Sequence, residues 1–172
     1  MTAASQPVAP FPRQVAGNGS EQTSGGGRDY GVAFRARSAI IFWTTGPRPF
    51  GGRLMLEIVD RPAVCARTPT VSGPPLRTLN MALPIGRGAL PLGRALPGRL
   101  SFSKVIAPGR VVFTAVPARA TVTRVDTRPG GIWHGRLVAP GRRVPGAGIL
   151  AFQGTFAARW CGSGVIFLAR PA

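Results

Sequence analysis

The chain has 172 residues, enough for one domain with a substantial core, and a formal charge of +17 from 22 Lys and Arg against 5 Asp and Glu. Its 24 glycines and 18 prolines exclude long helices and coiled coils, whose interiors do not tolerate such breakers. A hydrophobic content of 44% excludes a wholly disordered chain, because it supplies the apolar surface that offsets ordering entropy.

In chain order, residues 1–29 read as a flexible tail rich in Gly, Ser and Pro. Pro7, Pro10, Pro12, Asn18-Gly19-Ser20 and the run Ser24-Gly25-Gly26-Gly27 show no apolar periodicity. Charges in the tail cancel, Arg13 and Arg28 against Glu21 and Asp29, so the net charge falls on the domain spanning 30–172. No apolar stretch follows an early cation as in a secretory leader. No run approaches the roughly 18 apolar residues that a membrane-spanning helix needs, so no transmembrane segment is expected.

From Gly31 onward, short apolar runs separated by Gly and Pro read as strands and turns. Ser38–Thr44 is the first, ended by Gly46-Pro47. In Arg53–Val59, Leu54, Leu56 and Ile58 alternate with Arg53, Met55 and Glu57; in Arg77–Ile85, Leu79, Met81 and Leu83 share one face. Arg99–Ser103, Arg110–Val116 (after a turn at Pro108-Gly109), Thr121–Asp126, Ile132–Val138, Gly148–Ala158 and Val165–Ala169 complete the set. A turn of helix fits near Val64–Arg67. The pattern predicts an all-β fold, a single antiparallel β-sandwich or barrel of about eight strands.

Groups for side-chain catalysis are scarce. His134 is the only histidine, expected as a half-exposed strand residue between Trp133 and Arg136, so one subunit offers neither a His-based metal site nor an imidazole pair. After the tail the carboxylates are Glu57, Asp60 and Asp126, each expected as an ion-pair partner of arginine rather than half of a two-carboxylate couple. Cys161-Gly162-Ser163-Gly164 lacks the spacing of a nucleophile elbow, and Gly86, Gly88 and Gly93 lack phosphate-loop spacing; both read as turns. Catalytic residues, metals and cofactors are therefore expected to be none, and the chain is not expected to be an enzyme.

All cations but Lys104 are arginine, and Arg, Gly, Pro and Ala are abundant together, as a GC-rich genome dictates. That bias does not explain the shortage of acids. The expected anion-binding residues are Arg35, Arg37, Arg142 and Arg143, with Arg110 and Arg136 next, and the partners they imply are acidic polymers or anionic surfaces. Phe34, Phe42, Trp43 and Phe102 near arginines give a second reading, a basic nucleic-acid-binding or ribonucleoprotein barrel that stacks bases on aromatics. Against it, Trp43, Trp133 and Trp160 lie in apolar runs and are expected in the core.

Cys65 and Cys161 are too few for zinc and too far apart for a thiol redox motif. Each follows a strong strand, and the two serve either as buried thiols or as one disulfide closing a loop of roughly a hundred residues.

Two segments carry a resemblance. Leu54–Val59 runs into Asp60-Arg61-Pro62-Ala63-Val64-Cys65 and is followed by the apolar stretch Leu76–Leu83; later comes Gly154-Thr155-Phe156-Ala157-Ala158-Arg159-Trp160-Cys161. Over residues 31–165 this resembles uncharacterised β-rich secreted proteins and lipoproteins of high-GC bacteria. In these, a strand ending in Asp-x-Pro-x-x-Cys precedes an apolar strand, and a late Gly-Thr-Phe-x-Ala-x-x-Cys strand closes the domain. The resemblance implies an extracytoplasmic or secreted domain with Cys65 and Cys161 paired, and it implies no activity. The expected function is thus a non-catalytic β-domain with a structural or binding role in the envelope or outside the cell, with general affinity for polyanions.

Overall fold

A computed structural model describes residues 22–45, 52–60, 65, 77–84, 90–107 and 110–165. These form nine strands: β1 Ser24–Asp29, β2 Val32–Arg35, β3 Ser38–Thr45, β4 Leu54–Val59, β5 Thr78–Leu83, β6 Ala95–Ala107, β7 Arg110–Arg124, β8 Ile132–Val144 and β9 Gly148–Val165. The fold is all-β, as the breaker pattern predicts, and of the two architectures it is the barrel. Strands β3 to β9 pair in succession and β9 also pairs with β3, which closes a ring. All pairings are antiparallel except β3–β9, which is parallel. The long β9 divides its free edge: its Ala151–Thr155 portion takes the β1–β2 hairpin, and its Ala158–Val165 portion takes β3.

Alternation sets the two faces. Leu54, Leu56 and Ile58 on β4, Leu79 and Met81 on β5, Leu100 and Phe102 on β6, Val116 and Val122 on β7, and Trp133 and Leu137 on β8 all point inward and are buried. Small residues make room for large ones: Gly135 lies opposite Phe156, and a Cβ there would overlap the Phe156 ring. With apolar side chains inside and arginines outside, the alternation is the reverse of that in a membrane-spanning barrel.

Three expectations about elements are corrected. Ser24-Gly25-Gly26-Gly27, expected within the flexible tail, belongs to β1, paired to β9 on one side and β2 on the other. Its glycines serve close approach: a Cβ on Gly27 would collide with the Ala151 carbonyl oxygen, and Gly25 has a φ of 148°. Arg110–Val116 and Thr121–Asp126, expected as separate strands, are one strand through Arg124. Pro117 lies just outside the β7–β8 pairing, which begins at Arg119, so one edge of β7 is open beside it. Val165, expected as the first residue of a separate strand, belongs to β9. Residues 1–21, the turn at 108–109, residues 166–169 and all of the proposed helical turn except Cys65 lie outside the described residues.

Cys65 and Cys161 form a disulfide with Cα atoms 5.2 Å apart. Since β3 lies between β4 and β9 in the ring, the bond ties the β4–β5 connection to β9 across β3.

Candidate anion-binding surface

Strands β6 to β9 contain nine cationic side chains and no carboxylate. On the outer face, Arg99 stands opposite Pro117, Arg119 opposite Val138, and Arg136 opposite Thr121 and Thr155. Each of these arginines is offset two residues from the next, so they are diagonal neighbours across β6, β7 and β8, roughly 7–8 Å apart at the backbone. All three are exposed, amid uncharged Thr121, Thr123, Gln153 and Thr155. The row is open and positive.

Beyond Ala139 the register of β8 shifts, and β8 diverges from β7. A cleft of about 320 Å³ opens there, its lining including Arg99, Ala115, Val116, Arg142, Arg143 and Val144. Arg99 is held in place by donating from Nη2 to the Ala115 carbonyl oxygen at 2.7 Å. Of the sequence-predicted residues, Arg142 and Arg143 thus meet at one site and Arg136 lies on the adjoining wall. Arg35 and Arg37 sit instead at the β2–β3 junction, where the Arg37 backbone N–H donates to the Val59 carbonyl, and Arg110 lies at the base of the β6–β7 turn. Arg99 and Arg119 were not singled out from sequence. The available signal was their two-residue alternation with Leu100, Ala118 and Ala120, hidden by Pro97 and Pro117 in the same strands.

The acids lie elsewhere. Asp126 is buried and accepts from the Arg128 backbone N–H at 3.1 Å and from Arg128 Nε at 3.0 Å, with a further Nη2 contact, as the ion-pair expectation has it. That pairing pushes the Arg128 pKa further up. Glu57 differs from the expectation: on the outer face of β4, between Ile40 and Asn80, it has no ion-pair partner among the described residues. Burial pushes its pKa up to about 7. Asp29 is also buried, which raises its pKa to about 6 against the lowering pull of Arg77 and Lys104. Among the described residues Asp29 Oδ1 has no hydrogen-bond partner.

His134 is buried rather than half-exposed; it lies opposite Arg124, where the β7–β8 register shifts, and opposite Ala157 on β9. Phe34 and Phe102 are core residues, Phe34 meeting Phe152 edge-on at 6.0 Å, while Trp133 stacks on Trp160 at 5.5 Å. Trp43 and Trp160, expected in the core, are half-buried and pack against it. Among the described residues no group of three or more His, Cys, Asp or Glu converges. Compared with known protein families, curated proteins and solved structures, the chain finds no significant match.

Proposed function

We propose that this protein is a non-catalytic β-barrel binding domain of an extracytoplasmic compartment that attracts anionic polymers through the outer wall of β6–β9. The observation that carries this reading is the segregation of charge: nine cations on four adjacent strands with no carboxylate among them, three of the arginines ringing one cleft. Unmatched guanidinium groups gather anions through released counterions and through their forked donors. The Cys65–Cys161 bond supports the compartment, since structural disulfides persist in oxidising environments, and so does the resemblance to secreted proteins of high-GC bacteria. The nucleic-acid reading needs exposed aromatic platforms, and of its four aromatics Phe34 and Phe102 are buried and Phe42 and Trp43 half-buried, which weighs against it.

The test is titration with polyphosphate and with single-stranded homopolymers of different base. Binding is expected to be weak, indifferent to base, and steeply lost between about 50 and 200 mM salt. The variant R99Q/R142Q/R143Q should shorten the salt dependence and weaken all these ligands alike. Unchanged binding by that variant, or strong preference for one base at high salt, would overturn the proposal.

A further inference from the structure

Among the described residues, the exposed large hydrophobic side chains are Val32, Ile106, Val112, Phe113 and Ile149, and all belong to one end of the barrel. Three hairpins bring them there. Val32 follows the β1–β2 turn, Ile149 opens β9 just after the β8–β9 turn, and Ile106, Val112 and Phe113 flank the β6–β7 turn. Tyr30 and Gly31 hold the three turns together. The Tyr30 hydroxyl donates to the Val112 carbonyl at 3.3 Å and hydrogen-bonds the Thr114 hydroxyl at 2.8 Å, while the Gly31 N–H donates to the Ile149 carbonyl at 3.2 Å. Tyr30 is the non-glycine residue with positive φ, 49°, so the bridge is set at some backbone strain.

Four of the five apolar tips have a cation close by in the register. Lys104 is the cross-strand partner of Val112 and places Nζ 5.3 Å from the centre of the Tyr30 ring; Arg143 is the partner of Ile149. Arg110 stands opposite Ala107 next to Ile106, and Arg28, one pair along from the Asp29–Val32 pair, donates to the Gly31 carbonyl. Of the acids at this end, Asp29 is buried and Asp60 is half-buried near it.

We infer that this end of the barrel docks on an anionic lipid bilayer, the apolar tips entering the interface while Arg28, Lys104, Arg110 and Arg143 meet headgroup phosphates. The charges select an acidic occupant, and the shape selects a fluid one. Phe113 is 64% exposed, Val32 49% and Ile106 47%, and with Ile149 they project from three separate hairpins (Ile106 and Phe113 from the same one) rather than from one continuous face, as dipping into a headgroup layer requires and packing on a rigid protein does not. The inference shares the basic surface with the polyanion reading and adds an apolar component that soluble polyanions cannot use.

The experiment is flotation of the full chain with phosphatidylcholine vesicles, with and without phosphatidylglycerol, beside polyphosphate binding by the same samples. The chain should bind only the phosphatidylglycerol vesicles, and part of that binding should survive about 200 mM salt, where polyphosphate is released. Phe113→Ser should weaken vesicle binding about tenfold and leave polyphosphate binding unchanged; Ile106→Ser, at a second exposed site, guards against a folding artefact. Equal vesicle binding by both variants overturns the inference, since charge alone then suffices. A self-association abolished by Phe113→Ser, without vesicle binding, also overturns it by making the end an interface between copies. If wild type binds polyphosphate but no vesicle, docking fails and the polyanion reading stands; if it binds neither, both fail.

Discussion

On the outer face of β4 and β5, Val59 and Thr78 are buried and Met55, Glu57 and Asn80 are half-buried, whereas on β6–β9 Arg99, Arg119, Arg136 and Arg159 stand exposed. Both walls alternate with the same two-residue period around the same apolar interior. What differs is what each outer face meets. The disulfide fixes the connection after β4 to β9 across β3, beside the wall that carries Glu57, and the opposite wall carries no carboxylate. One wall is therefore tethered and covered and the other open and positive, so substitutions on the two should separate stability from the proposed anion binding.

The largest effect is expected from cutting the tether. The bond spans a sequence separation of 96, and in the chain-entropy model closing such a loop contributes about 4–5 kcal/mol. Cys65→Ser with Cys161→Ser, or reduction of the wild type, should lower the urea midpoint accordingly while leaving polyphosphate binding by the folded fraction intact. A shift under about 1 kcal/mol would show that the tether is not what stabilises this wall.

Glu57 gives the next effect, with an unusual sign. Its carboxyl is raised from 4.5 to about 7 by burial, so the folded state keeps a proton that the unfolded chain has lost. Stability is then full below about pH 4.5, falls as the pH rises toward 7, and levels off above it, by up to about 3 kcal/mol. Asp29, raised from 3.8 to about 6, adds a loss of the same sign in the lower part of that window. Glu57→Gln should flatten most of this slope and stabilise the protein at pH 8. Denaturant midpoints measured from pH 4 to 8 check both, and a midpoint that rises through this range would exclude the buried-carboxylate account.

How much of this was legible in the sequence depends on whether a residue's role is local. The inward Leu54, Leu56, Ile58 and Leu79, Met81 stripes were readable because period-2 alternation over a single strand is enough to define a face. Glu57 was not readable: it sits in an alternating strand like any solvent-facing acid, and its burial depends on what lies across the face from elsewhere in the chain. The glycine run of β1 was misleading for a related reason. Local composition reports backbone freedom, yet Gly27 is required by the approach of β9, well over a hundred residues away. In the candidate site, Arg142 and Arg143 were found by adjacency, whereas Arg99 joins them only through the divergence of β8 from β7.

That account of β1 is itself testable. Gly27→Ala would drive a methyl group into the Ala151 carbonyl, and relieving the overlap requires the β1–β2 hairpin to move off β9. Overpacking of this kind costs about 1–3 kcal/mol. The hairpin carries Phe34 against Phe152 and Tyr30 against Thr114, so near-ultraviolet circular dichroism should change along with the midpoint. If Gly27→Ala is neutral, the run is a spacer after all.

The smallest effect on stability belongs to the open wall. Arg119 and Arg136 are exposed, and each faces an uncharged side chain, Val138 or Thr121 and Thr155. Replacing both with Gln removes two like charges from one face, so the urea midpoint should stay within about 0.5 kcal/mol of wild type. Polyphosphate binding at low salt should nevertheless weaken, with a shallower dependence on salt because fewer phosphates are neutralised. A destabilised variant would mean that these guanidinium groups hold the sheet together and that the two walls are not divided in role. An unchanged salt slope would restrict anion binding to the cleft of Arg99, Arg142 and Arg143, which R99Q/R142Q/R143Q addresses separately.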